Sequence, residues 1–174
     1  VTLSLAKFNK IVMIDRAART ATVQCGVRNL AISEAAAPYG LYYAPDPSSQ
    51  IACTIGGNVA ENSGGVHCLK YGVTTNNVLG VELVTMDGEV LRIGGSHLDP
   101  EGYDLLGVVV GSEGLLGVVT EVTVRILRKP DTARAVLLGP EPVLPPQRIV
   151  LRLQDRRVVL ASDGLAPFAP APAP

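Results

Sequence analysis

Histidine and cysteine are scarce in this chain, with two and three in 174 residues. Cys25, Cys53 and Cys68 are odd in number, widely spaced and without a Cys-x-x-Cys pair, a pattern that speaks against a disulfide framework and for a reducing cytoplasm. Zinc-type spacing is missing too: His67 and Cys68 are neighbours that point in different directions, and His97 is remote, so no metal site is expected. No two glycines lie two apart, which removes Gly-x-Gly-x-x-Gly and with it the Rossmann dinucleotide fingerprint. The Gly-x-x-x-x-Gly-Lys-Ser/Thr phosphate loop and the Gly-x-Ser-x-Gly nucleophile elbow are absent as well. With neither histidine near a nucleophile motif, a catalytic triad has no support. No apolar run reaches the ~20 residues that cross a bilayer, so no transmembrane segment is expected. No basic segment followed by an apolar one opens the chain, so a signal peptide is not expected either. The formal net charge of -1 gives no general attraction to nucleic acid.

What the chain does have is apolar residues, 47% against 18% charged, and a length sufficient for one domain with a core or for a piece of a larger protein. Its most distinctive stretch is 45–65, where the pairs Gly56-Gly57 and Gly64-Gly65 alternate with Ser, Thr and Asn. Glycine permits close backbone approach, and short hydroxyl and amide arms supply hydrogen bonds, so the stretch has the composition of a backbone pocket for a phosphate-bearing ligand. An ordinary surface loop has the same composition and is the competing reading.

In chain order, residues 1–5, 10–15 and 20–24 read as strands, with Asp15 to Arg19 as a hairpin loop between the last two. The spacing of Val27, Leu30, Ala31 and Ala35 predicts a helix over 27–37, stopped by Pro38 and Gly40. Thr54 is placed to cap a short helix through Asn58, Val59 and Ala60, leaving the amides of Ile55 to Asn58 open at its positive end for a diphosphate. Residues 78–85 and 89–93 read as a hairpin turned by Met86-Asp87-Gly88. Asp104 is placed to cap a second short helix, and the glycines of 111–117, three apart, feed a strand from Val118 to Ile126. Beyond Leu138 the character changes: nine of the 13 prolines lie from Pro130 onward, and residues 125–157 hold eight basic and three acidic residues. That segment reads as an irregular tail with strand-like pieces at 149–153 and 158–160, ending in extended polyproline.

Four ordered blocks, 45–49, 54–65, 70–74 and 111–120, give the chain a resemblance over residues 1–139 to FAD-linked oxidases of the vanillyl-alcohol oxidase and p-cresol methylhydroxylase superfamily. Within that superfamily it is most similar to the glycolate oxidase D subunit and the D-lactate and D-2-hydroxyglutarate dehydrogenases. The resemblance implies an α+β FAD-binding domain of the p-cresol methylhydroxylase type, in which two αβ subdomains hold an extended flavin. The family's first glycine-rich phosphate loop and its histidine-bearing substrate cap have no counterpart here, so the chain is expected to be a fragment, truncated or shifted in frame near Gly139, with 140–174 as an atypical Pro/Arg-rich tail. By similarity, Pro45, Asp46, Ser48 and Ser49 line the flavin and diphosphate side. Thr54, Gly56, Gly57, Asn58 and Ala60 approach the cofactor, Asn62, Ser63 and Gly64 continue that wall, and Glu113, Gly117, Val118 and Val119 meet the adenine and ribose side.

The implied reaction takes hydride from the α-carbon of a small 2-hydroxy acid to flavin N5 and passes electrons on to an acceptor or to other oxidase subunits. It implies a cytoplasmic protein, peripheral at the inner membrane face. No residue matches a catalytic base, so this chain by itself is expected not to turn over. The alternatives are a non-catalytic interaction subunit and a flavin domain of another reductase.

Overall fold

The computed structural model describes residues 2–97 and 102–131 in full and the backbone of two further strands at 149–154 and 157–162. The chain divides into two compact units, Val1–Asp131 and Thr132–Pro174. In the first, β1 (Ile11–Asp15), β2 (Thr20–Gln24), β4 (Val78–Val84), β5 (Val90–Gly94) and β6 (Val118–Arg125) form one antiparallel sheet in the order β1-β2-β6-β4-β5. A two-residue ladder joins β3 (Leu41–Tyr42) to β7 (Leu127–Arg128). The helices are α1 (Asn29–Ala36), α2 (Ile55–Glu61), the single turn α3 (Cys68–Tyr71) and α4 (Leu105–Val109). The α+β class therefore holds, with one principal sheet among the described residues. In the second unit β8 (Ile149–Gln154) and β9 (Arg157–Ser162) pair antiparallel, which turns the two strand-like pieces of the tail into a hairpin. The expected boundary at Gly139 and the polyproline end lie outside the described residues.

Alternation along the strands sorts the sheet into two faces. Ala21, Val23, Val81, Leu83, Val122 and Val124 are buried and meet Ile32 and Ala36 of α1, Ile55 and Val59 of α2, and Leu106 and Val109 of α4 in one core. Ile32, Ile55 and Ile126 have no exposed surface, and each such side chain contributes about 1.5–3 kcal/mol by leaving water. The opposite face is polar. Thr22 and Thr123 stand directly across from one another with hydroxyls 3.1 Å apart. Glu82 faces Glu121 in the same register, a like-charge pairing that destabilises a sheet unless a neighbour offsets it. Here Arg92 reaches Glu82 Oε2 at 2.8 Å and the Thr120 hydroxyl donates to Oε1 at 2.8 Å.

Local sequence accounts for most element ends. The Asp15 carboxylate accepts from the amides of Ala17 and Ala18 and closes the β1–β2 loop. Gly88 turns the β4–β5 hairpin at φ 82°, a conformation other residues rarely adopt. Asp104 caps α4 by accepting from the Gly107 amide at 2.9 Å. One expected strand does not form: residues 2–5 have no strand partner, and Leu3 is 70% exposed. The chain instead turns at 6–7, Phe8 N donating to Leu5 O, and the carbonyl of Phe8 accepts from Gly26 N at 2.7 Å. A Cβ on Gly26 would come within 2.7 Å of the Leu5 and Phe8 carbonyl oxygens, so glycine here admits the crossing segment.

Candidate functional site

One cleft of about 460 Å³ collects residues from four separated stretches: Leu5 and Ala6, Cys25 and Gly26, the first turns of α2, and the 109–119 region leading into β6. Its size falls within the range of small-molecule sites. Of the residues expected to meet a cofactor, Thr54, Gly56, Gly57 and Ala60 line one side and Gly117, Val118 and Val119 the other. The sheet explains the meeting, because the carbonyl of Thr120 in β6 accepts from Cys25 N and the carbonyl of Cys25 accepts from Gly56 N at 2.8 Å. α2 can sit this close only because residue 56 is glycine: a Cβ there would lie 2.8 Å from that of Cys25.

The amides of the first turn of α2 do not lie open, contrary to expectation. Ile55 N donates to Val27 O, Gly56 N to Cys25 O, Gly57 N to the Thr54 hydroxyl and Asn58 N to Thr54 O. Thr54 caps the helix as its type predicts. An antiparallel bridge between Arg28 and Thr54 seats that cap beside 25–28, so the donors a free helix end would offer an anion are consumed by the protein itself. A neutral amide row at α2 is therefore not the diphosphate holder.

The other expected residues lie elsewhere. Pro45 is buried, and its carbonyl accepts from Asn29 Nδ2 at 3.1 Å. Ser48 and Ser49 are exposed in a turn whose Ser49 carbonyl accepts from the amides of Ala52 and Cys53. The Asp46 carboxylate is occupied by His67, at 2.6 Å from Nδ1 and 3.2 Å from the backbone N. Asn62 ends α2 at φ 49°, its side chain accepting from Thr75 N, while the Ser63 carbonyl takes both the amide and the hydroxyl of Thr74. Gly64 is packed beside Val73 and Cys68. Glu113 is exposed at φ 54°, tied by its amide to Ala60 O. Asn58 is 3% exposed and its Nδ2 has no partner, between two residues that line the cleft.

Several lining residues escaped the sequence reading: Leu5, Ala6, Cys25, Gly26, Val59, Val109, Ser112 and Gly114. Gly26 had a signal, as the break after β2, and Gly114 as the middle of three evenly spaced glycines. Cys25 had none. Burial pushes its thiol pKa up, which favours the neutral form.

Among the described residues no charged side chain lines this cleft. Its walls are Val59, Val109, Val118 and Val119 with the hydroxyls of Thr54 and Ser112 between them, a surface suited to the ring and sugar parts of a flavin dinucleotide. A Cβ at Gly114 would meet nothing within 4 Å, and at Gly57 only the Thr54 hydroxyl at 3.4 Å, so both glycines leave open space beside the cleft. Among the described residues the amides of Gly114 and Gly117 donate to no carbonyl. Those free donors fit an acceptor-rich ligand.

Comparison with known proteins agrees with that chemistry. The family model for an FAD binding domain matches residues 1–94. The chain is 62% identical over 137 residues to the glycolate oxidase subunit GlcD of Escherichia coli (strain K12), covering 79% of this chain and 28% of that protein. It is 50% identical over 130 residues to the GlcD of Bacillus subtilis (strain 168), covering 74% and 28%, and 37% identical over 139 residues to the D-lactate dehydrogenase of Anaerostipes hadrus, covering 79% and 29%. A solved alkyldihydroxyacetonephosphate synthase superposes with a TM-score of 0.63 at 27% identity, over 73% of this chain and 23% of that one. The chain thus spans under a third of each of these relatives. With more than half of its length matched by the family model, it belongs to the FAD-binding domain family, of the p-cresol methylhydroxylase type.

Proposed function

We propose that the chain supplies one wall region of the FAD site of a flavin-dependent 2-hydroxy-acid dehydrogenase or oxidase of the glycolate or D-lactate type, and that by itself it does not turn over. The carrying observation is that two blocks more than fifty residues apart, 54–60 and 114–119, face one uncharged cleft. Bound FAD supplies the chemistry of the reaction as acceptor of the hydride from the α-carbon of the hydroxy acid. The residues of this chain bind and orient: Val59, Val109, Val118 and Val119 exclude water, and the Thr54 hydroxyl, already spent on the Gly57 amide, stiffens the turn that carries Gly56 and Gly57. Among the described residues the amides of Gly114 and Gly117 are the donors on the lining that meet no protein acceptor. Thr54, Gly56, Gly57, Asn58, Ala60, Gly117, Val118 and Val119 are retained in this proposal. Pro45, Asp46, Ser48, Ser49, Asn62, Ser63, Gly64 and Glu113 enter it as supports that hold the 45–65 segment and the 111–114 turn in place.

In this reading the substrate is a small 2-hydroxy acid, and the partners are other oxidase subunits or an electron acceptor, as the word subunit in the relatives' name suggests. Among the described residues no helix is long and apolar enough to cross a membrane, which is compatible with the cytoplasmic, membrane-peripheral placement proposed here. Equilibrium dialysis of the purified chain against FAD, followed by assays on glycolate and D-lactate with an artificial electron acceptor, tests both halves. Retention of FAD without turnover is the expected result. Turnover of either acid would overturn the inactivity, and absence of FAD retention would overturn the binding role.

A further inference from the structure

A second cleft lies elsewhere in the first unit and shares no residue with the one above. It has a volume of about 580 Å³ and is lined by Arg16, Arg19, Tyr39, Arg128, Lys129 and Asp131 with the backbone around them. Residues 1–131 contain ten basic and thirteen acidic residues, so the unit is net acidic, yet four of its ten cations meet here. They come from distant parts of the sequence: Arg16 and Arg19 from the β1–β2 loop, Arg128 and Lys129 from β7 and the residue after it.

Their backbone positions are fixed. Arg19 O accepts from Ile126 N at 2.9 Å, Arg128 pairs with Leu41 in the short ladder, and Lys129 N donates to Gly40 O at 2.9 Å. Among the described residues no ion pair neutralises their charges. Among the described residues the ion pairs are His67–Asp46 and Arg92–Glu82, and none involves the cations of this cleft. Asp15, the acidic neighbour in sequence, has turned its carboxylate to the amides of Ala17 and Ala18, which leaves Asp131 as the one acid lining the cleft among the described residues. Arg16 lies over the Tyr39 ring at 5.3 Å, a contact that places its guanidinium without using its hydrogen-bonding edge on a carboxylate.

Four like charges brought into one concavity repel one another, and holding them there against the single carboxylate of Asp131 costs stability. Three of the four are arginines, whose fixed fork of N–H donors matches phosphate oxygens in pairs. Convergence on a single hollow selects a compact, multiply charged anion over the single charges of carboxylates strung along a peptide.

We propose that this cleft is a binding site for a phosphate-bearing ligand of at least two negative charges, separate from the flavin cleft and independent of the flavin reading. The phosphate belongs either to a soluble phosphorylated compound or to a phospholipid headgroup that ends in a phosphomonoester.

The test uses the full chain and inorganic pyrophosphate as the probe, followed by calorimetry and by backbone amide NMR shifts. Binding that weakens as salt rises, with shifts confined to residues near 16–19, 39–41 and 128–131, is the expected result. The double variant Arg16→Gln/Arg128→Gln should bind about tenfold more weakly, with an unchanged circular dichroism spectrum showing that the fold persists. Sedimentation with phosphatidic acid vesicles, against phosphatidylcholine vesicles as control, separates the two sources. Retention on the anionic vesicles that pyrophosphate competes away assigns the lipid headgroup, and pyrophosphate binding without retention assigns a soluble ligand. The proposal is overturned if pyrophosphate does not bind, if the double variant binds it equally well, if saturating FAD displaces it, or if polyglutamate binds while pyrophosphate does not.

Discussion

The two glycine pairs of 45–65 look alike in sequence and do different things. In the first, Gly56 lets α2 close onto Cys25 and Gly57 opens toward the cleft, where a side chain would have room. In the second, Gly64 is packed beside Val73 and Cys68, and a Cβ on Gly65 would come within 2.5 Å of the Asp46 carbonyl carbon and 2.6 Å of its nitrogen. One pair borders the cleft, and the other lets two backbone segments pass. A glycine-rich block is thus not evidence of a ligand until each glycine's neighbour is known.

The comparison breaks most visibly at Gly65. Gly65→Ala drives a methyl into backbone that cannot rotate away, and a loss of about 3 kcal/mol in urea unfolding is expected, with FAD retention falling only as the fold does. A loss below about 0.5 kcal/mol would show that the second pair is not there for packing. Gly56→Ala meets the Cys25 Cβ at 2.8 Å and its carbonyl oxygen at 3.0 Å, and should cost about 2 kcal/mol by lifting α2 off the end of β2. Thr54→Val removes the hydroxyl that accepts from the Gly57 amide and should cost about 1 kcal/mol in the same measurement. Gly57→Ala separates stability from binding: in a helix with open space around residue 57 it should gain about 0.5 kcal/mol while weakening FAD retention.

Smallest of all is a control on the polar sheet face, away from both pairs. The Thr120 hydroxyl and then Arg92 hold the Glu82 carboxyl below its ordinary range. A carboxyl with a lowered folded-state pKa stabilises the fold above its unfolded pKa, and that contribution disappears as pH falls through the folded value. Glu82→Gln should therefore flatten the acid limb of the stability profile, measured by unfolding between pH 6 and about pH 3, and leave FAD retention unchanged.

Much of the fold was legible because its signals are local. The Asp87-Gly88 turn, the Thr54 and Asp104 caps and the β-branched run of β6 each depend on residues within a few positions of one another. Residues 2–5 misled because alternation of apolar residues predicts a strand only where a neighbour exists to pair with, and neighbours are not written locally. At the site, sequence identified the two blocks that meet and assigned the wrong donors. That the α2 amides are consumed by Val27 and Cys25 follows from how the cap is docked, a tertiary fact. The basic cleft was invisible for the same reason, since Arg16 and Arg128 come together only through the pairing of β2 with β6 and of β3 with β7.

The central claim, that blocks 54–60 and 114–119 form a flavin-binding surface on this chain, is tested most directly by following thermal unfolding of the purified chain as FAD is added. At a hundred times its dissociation constant FAD should add about 2.7 kcal/mol to the stability of the chain, and Gly57→Ala should shift that curve to higher FAD concentration. An unfolding curve that does not move with FAD at any concentration would contradict the claim.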